Sequence, residues 1–335
     1  MLGTKTKVAM LPLALLALFI SGGLAWEAPV PSVGAVTGRV FWQTRTDLLK
    51  RDTGTIQISS AKVDGTDVQH HFQLSGVAGG TAPFGVDRSG NVYFALYDQA
   101  SSHIDVVRFD LKGTRKGVVS SNVGDLRNIQ VRNGYILQLI CDNSGDELAG
   151  DIQLRDSCTS VSVVSAPTNS SAAKRIFLVR SNYLSLPNAV DICHSVESCK
   201  TWDNAIGVSG RGPQGNGVVV IGSMPSGSID GVFSLPPTQS GGGVSVHNNE
   251  VYYTFFEDKN FSGGQSYLAK VGGVPVCSAP QNWDSSSHNA LAQDFEAGLL
   301  FYGAGQQIIK YHFSSGKCSP LATVQGELAY IATVE

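Results

Sequence analysis

Residues able to do chemistry are present in this chain, but they are scattered. Seven histidines stand at His70, His71, His103, His194, His247, His288 and His312. No G-x-S-x-G occurs to place a nucleophilic serine on a strained turn beside a base. His247 reads as part of a hairpin turn, and His70 and His71 as a strand or its edge. In such places an imidazole acts as a surface or hydrogen-bonded structural group. Gly210-Arg211-Gly212-Pro213-Gln214-Gly215 fits G-x-G-x-x-G to the letter. A phosphate cradle needs a strand before that motif and a helix after it, so that the phosphate meets the helix N-terminus. Here a strand-like run follows, and the segment reads as a long hairpin loop. Asp142-Asn143-Ser144-Gly145-Asp146-Glu147 gathers hard oxygen ligands, with Asp142, Ser144 and Asp146 as candidate calcium ligands. It lacks the glycine and the distal glutamate of an EF-hand loop, and a polar connection between strands is the competing reading. No other cofactor is expected. Glu257-Asp258 reads likewise as a solvated loop. Trp202, Trp283, Tyr97 and Tyr183 fall in polar, loop-like segments. Their flat rings suit sugar or protein recognition, against the alternative of rings packed into the core.

The elements that position such residues are strands. Of 335 residues, 42% are hydrophobic and only 15% charged, with 38 glycines and 3 methionines. Val, Ser, Thr and Gly dominate long stretches, which excludes a coiled coil, a helical bundle and a charged disordered chain. A net charge of −3 argues against nucleic acid as partner, since phosphate contacts need a basic face. At the N-terminus, Lys5 and Lys7 precede an apolar run from Val8 to Ile20, and Gly23 and Ala25 are the small residues before a cut at Trp26. This reads as a signal peptide over 1–25, because the run falls short of the ~20 residues a spanning helix needs. No membrane span is expected, and the mature protein, 26–335, is expected to be secreted.

All six cysteines lie beyond that segment, an even count suited to disulfides in an oxidising compartment. Proximity favours Cys141 with Cys158, Cys193 with Cys199, and Cys277 with Cys318. No C-x-x-C is present, which speaks against zinc. Asn169-Ser170-Ser171 and Asn260-Phe261-Ser262 are sequons that make Asn169 and Asn260 candidate glycosylation sites.

Short β-rich runs recur at Val40, Val92, Tyr135, Ile176, Val218, Val251 and Leu299. Their spacings of 52, 43, 41, 42, 33 and 48 residues average about 43, matching the ~40–45 residues of one four-stranded propeller blade. Most follow a turn signal such as Asp87-Arg88-Ser89-Gly90-Asn91, and a short strand (FGV, IQV, IGV or VSV) precedes most turns. The unit is a β-meander with two apolar faces, which radial stacking of blades buries. The run at Val40 has no partner before it, while the C-terminal GELAYIATVE is a spare strand. The expectation is therefore an all-β protein, a β-propeller of four-stranded blades in a single domain. Seven blades are favoured, with six as the alternative if the short Gly-rich repeat at Val218 is not a blade. The C-terminal strand is expected to complete the first blade and close the ring.

Segment 79–113, GGTAPFGVDRSGNVYFALYDQASSHIDVVRFDLKG, resembles the NHL type of propeller repeat. Segment 40–74 is similar to the YWTD repeat of lipoprotein-receptor propellers, with Phe41-Trp42-Gln43-Thr44 at the signature position and the aspartate unmatched. The propeller resemblance also brings in lactonases and strictosidine-synthase-like proteins, which hold a metal or a catalytic carboxylate in the axial channel. The early E-G-P motif of the lactonases is absent, and Trp26-Glu27-Ala28-Pro29 is a poor substitute. No catalytic residue carries over. The reading favoured is an extracellular, non-catalytic binding or scaffold module whose loops take a protein or glycan ligand. The alternatives are a secreted lactonase-like or hydrolase-like enzyme with an axial metal, and a self-associating subunit of an extracellular assembly.

Overall fold

The computed structural model describes residues 36–45, 53–78, 82–98, 103–122, 125–132, 134–142, 158–170, 173–192, 205–223, 227–235, 239–247, 250–258, 264–281, 290–294 and 296–334. They form twenty-four strands in six antiparallel four-stranded sheets, arranged as the blades of a propeller. Among them no helix is long and apolar enough to cross a membrane.

Blade 1 contains β1 (Arg39–Arg45), β2 (Thr53–Lys62) and β3 (Gln69–Ala78). Blade 2 contains β4 (Phe84–Val86), β5 (Val92–Asp98), β6 (His103–Phe109) and β7 (Arg115–Asn122). Blade 3 follows with β8 (Asp125–Arg132), β9 (Tyr135–Asp142), β10 (Ser160–Pro167) and β11 (Lys174–Arg180). Blade 4 has β12 (Leu186–Ile192), β13 (Ala205–Arg211), β14 (Gly217–Ser223) and β15 (Ser228–Ser234). Blade 5 has β16 (Gln239–His247), β17 (Glu250–Asp258), β18 (Gly264–Lys270) and β19 (Pro275–Gln281). Blade 6 has β20 (Leu291–Asp294), β21 (Leu299–Ala304), β22 (Gln307–His312) and β23 (Lys317–Thr323).

The last strand, β24 (Glu327–Thr333), returns to blade 1 and pairs antiparallel with β1, giving the order β24-β1-β2-β3. The innermost strands then touch in sequence, β24 to β4, β8, β12, β16 and β20, and β20 touches β24 again. The ring is closed, as expected from the spare C-terminal strand.

The blades number six, not seven. The run at Ile176 is not the centre of a blade but β11, the outer strand of blade 3. It reads as a core strand because Phe177 and Val179 are buried against blade 4. The run at Val218 belongs to a true blade, but it is the third strand, β14. The second strand there is β13, AIGVSGR, whose glycines and serine make it less apolar than its neighbour. From β9 at Tyr135 to β13 at Ala205 is 70 residues, one long blade step stretched by the connections 143–159 and 193–204, which pattern reading divides in two.

Strand alternation sends successive side chains to opposite neighbours. Val40 and Trp42 pack towards blade 6, while Phe41 between them packs towards blade 2. In β21, Leu299 and Phe301 face blade 1, whereas Leu300 and Tyr302 face blade 5. Each of the six seams thereby holds one apolar cluster, and a side chain such as Phe41 or Phe301, fully shielded from water, contributes about 1.5–3 kcal/mol by burial. At the axis there is no room to spare. A Cβ on Gly85 of β4 would sit 2.6 Å from Cγ2 of Val131 and 2.9 Å from its backbone nitrogen, so only glycine lets β4 approach β8 this closely.

Two disulfides are formed as expected. Cys141–Cys158 ties β9 to the start of β10, and Cys277–Cys318 bridges the outer strands of blades 5 and 6. Cys193 and Cys199 lie outside the described residues.

Candidate functional site: the axial channel

Six inner strands surround the axis, and five of them carry polar side chains at or next to their last position. Arg132 closes β8, Asp191 falls at the penultimate position of β12, His247 ends β16, Gln293 and Asp294 end β20, and Thr333 ends β24. Each is less than a tenth exposed. A buried polar group is tolerable only when it finds a partner, and here the partners come from the next blade.

Arg132 donates from Nη2 to Asp191 Oδ1 at 2.9 Å, linking blades 3 and 4. Its Nε donates to Gln130 Oε1 at 3.2 Å. The second carboxylate oxygen of Asp191 accepts the backbone N–H of Val246 at 2.9 Å, carrying the chain of contacts into blade 5. From there the Ser245 hydroxyl donates to Gln293 Oε1 at 2.6 Å. The Gln293 side-chain amide also hydrogen-bonds Nδ1 of His247, at 2.5 Å. The Thr333 hydroxyl donates to the Gln293 carbonyl at 2.5 Å, which joins blade 6 to blade 1. Blade 1 meets blade 2 through Gln43, whose amide both donates to the Ala82 carbonyl at 2.6 Å and accepts its N–H at 3.1 Å. Gln138 Nε2 donates to the Ser120 hydroxyl at 3.1 Å across the seam between blades 2 and 3. Polar contacts thus cross every seam of the ring; from blade 3 round through blades 4, 5 and 6 to blade 1 they run between innermost strands as an axial belt, and the other two seams are bridged farther out, from β1 and from β9 to β7.

Electrostatics follow from burial. Loss of water holds the His247 imidazolium below its ordinary range despite the opposing charge of Glu250, and the ring stacks on Phe313 with centroids 3.8 Å apart. The Asp294 carboxyl is raised by burial, while the Ala297 N–H that it accepts at 2.9 Å acts the other way. Facing the axis from β24, Tyr330 has its phenol pushed up to about 12 by burial, with the Arg127 guanidinium pulling it down. The small space left at the axis is bounded by Phe84, Asn128, Arg132, Ala189, Ala292 and Tyr330 among others. Among the described residues no group of three or more His, Cys, Asp or Glu side chains is placed to hold a metal ion.

The candidate residues taken from the sequence are not gathered here. Asp142, at the end of β9, accepts the hydroxyls of Ser160 at 3.1 Å and Ser162 at 2.5 Å, so its carboxylate holds the start of β10 in place. Ser144 and Asp146 lie outside the described residues, as do Trp202 and Trp283. Tyr97 is half-buried near the end of β5, opposite Ile104. Tyr183 is 38% exposed in the turn that follows β11. Asn169 is exposed in the turn between β10 and β11, and Asn260 lies outside the described residues. His70 and His71 are in strand β3, as expected, but His247 is not in a turn: it is the buried last residue of β16. The belt escaped sequence reading although its signal was present. Several short strands before a turn end on a polar residue, as in IQV-Arg132, VSV-His247 and LAQ-Asp294.

No family model matches the chain, and no curated protein matches it either. Among solved structures, it is similar to a putative 6-phosphogluconolactonase from Bacteroides fragilis, with a TM-score of 0.53 at 10% identity over 91% of this chain and 100% of that one. It is also similar to the β-propeller domain of the Trilobed protease from Pyrococcus furiosus, at 0.43 and 9% identity over 88% and 84% of the two chains. A third is the acylaminoacyl peptidase of Pyrococcus horikoshii, at 0.44 and 11% identity over 86% of this chain and 51% of that one. Identities this low speak for a shared propeller fold alone.

Proposed function

We propose that this protein is an exported, non-catalytic binding or scaffold module, in which a rigid propeller presents its connecting loops to an extracellular protein or glycan. The observation that supports this reading is the belt. At the axis Arg132, Asp191, His247 and Gln293 are bonded blade to blade, so groups of the kind a hydrolase would aim at a substrate hold neighbouring blades together instead. A hydrogen-bonded buried network fixes one arrangement of its elements, and variable loops can be carried on such a frame without disturbing it. Trp202, Trp283, Tyr97 and Tyr183 are the proposed contact residues, since aromatic rings supply stacking surface at low entropic cost. The two disulfides fit an oxidising compartment.

The test uses the mature protein purified from the medium of a secreting host. It is applied to a glycan array and, separately, to lactone and aryl-ester substrates with and without added divalent cations. The expected result is saturable binding without turnover, weakened at least tenfold by Trp202→Ala or Trp283→Ala with the melting temperature unchanged. Turnover of a lactone that a chelator abolishes would overturn the proposal in favour of an axial metal enzyme.

A further inference from the structure

Among the described residues, the outer strand of each blade has no strand paired to its outer edge, an invitation to any other strand. Most of the rim is visibly guarded. In β7 the ladder shifts register twice and carries Arg115 and Lys116. In β11 Lys174, Arg175 and Arg180 stand along the edge. Pro275 and Pro280 interrupt β19, and Lys317 and Pro320 lie in β23, with a disulfide joining the two. The ladder of β3 is broken at two points.

Strand β15, SIDGVFS, has only the mildest of these devices, a single register shift. It contains no proline, no basic residue and no cysteine, and its single register shift falls before Gly231. Every one of its side chains is half-buried or exposed, with Val232 at 39% and Phe233 at 38%. The direction of its free groups is fixed by the ladder. Leu235 donates its N–H to the Gly217 carbonyl at 2.8 Å, so by alternation Phe233 also bonds inward, while Val232 and Ser234 turn their N–H and C=O groups to solvent.

The sequence of this edge is complementary to itself. With a two-fold axis at Val232, antiparallel pairing sets Val232 against Val232 and Gly231 against Phe233 on both sides. It sets Asp230 against Ser234 twice. The one charged residue then meets a hydroxyl rather than its own copy, and each aromatic ring lies over a glycine, a favourable cross-strand pair. Self-complementarity of one patch is what a two-fold dimer requires. We propose that two copies of this chain pair edge to edge through β15, extending the sheet of blade 4 across the axis at Val232.

The experiment is sedimentation velocity on the exported protein across a concentration series. A concentration-dependent dimer is expected. Val232→Pro removes the outward N–H at an edge where the fold does not use it, and Val232→Lys places like charges directly opposite each other. Each should weaken dimerisation at least tenfold while the melting temperature stays within about 2 °C, as for surface changes generally. Val232→Cys should be captured as a covalent dimer by a short thiol cross-linker, because the two residues face each other. A wild-type protein that stays monomeric throughout, or a dimer that Val232→Lys leaves intact, would refute the pairing.

Discussion

Removing the Asp191 carboxylate is the sharpest perturbation of the axial belt. In Asp191→Ala, the Arg132 guanidinium, only 7% exposed, loses the oxygen 2.9 Å away, and the Val246 N–H loses its acceptor. Breaking a buried pair from one side costs about 3–5 kcal/mol, because the surviving charge stays out of water. For about 310 folded residues, the unfolding entropy is about 0.65 kcal/mol/K, so the melting temperature should fall by roughly 5–8 °C. Removing both charges tells a different story. Arg132→Met combined with Asp191→Leu leaves no orphaned charge, and replacing a buried pair with apolar residues of similar size is often neutral. The double variant should therefore recover most of the lost stability and keep its ligand binding. Scanning calorimetry on the single and double variants reads out the difference. A fall of less than about 1 °C for Asp191→Ala would show that water reaches the pair, and the structural role assigned to the belt would fail. Loss of ligand binding in a stable double variant would refute it from the other side, by making the pair functional.

The remaining expectations concern the rim and the solvent. Cys277→Ser with Cys318→Ser opens a loop of 41 residues, for which chain entropy gives about 4 kcal/mol and a melting temperature lower by roughly 6 °C. The shorter 17-residue Cys141–Cys158 loop gives about 3 kcal/mol on the same basis, and calorimetry of the two paired-serine variants checks both the size and the order. His71 and His247 are both held below the ordinary imidazole range by burial. The unfolded chain then binds more protons than the folded one below the ordinary histidine value, so stability is full above it and lost as pH falls beneath it. Unfolding free energies from urea titrations between pH 7 and 5 should decline by at most about 1.4 kcal/mol per pH unit for each histidine, and His247→Gln should flatten the decline.

The propeller was legible because its signal is repeated. Alternating apolar strands at even spacing, a turn before each and an unpartnered strand at either end leave few architectures other than a closed ring. The two disulfides within the described residues were legible for a similar reason, since each joins cysteines in or just before strands that the repeat makes neighbours. The blade count was not legible at blade 3, where Phe177 and Val179 make an outer strand as apolar as an inner one. Pattern reading measures burial, and burial does not say which position in a sheet a strand holds. The belt was hidden for a different reason. Arg132 and Asp191 are 59 residues apart, and nothing local marks them as partners. His247 looked like a turn residue because it adjoins one, whereas its place is decided by Gln293 from the next blade and by Phe313.

The joining of β24 to β1 also has a consequence in time. Arg45 ends β1, and Glu327 begins its inner partner 282 residues later. At synthesis rates of ~5–20 residues per second, the first blade waits roughly 15–60 s for the strand that completes it. Throughout that interval the inner edge of β1 is bare, and every blade made meanwhile is an open arc with two unsatisfied ends. Closure of this ring is therefore gated by β24, and the nascent arc is most open to mispairing or capture by a chaperone just before that strand is made.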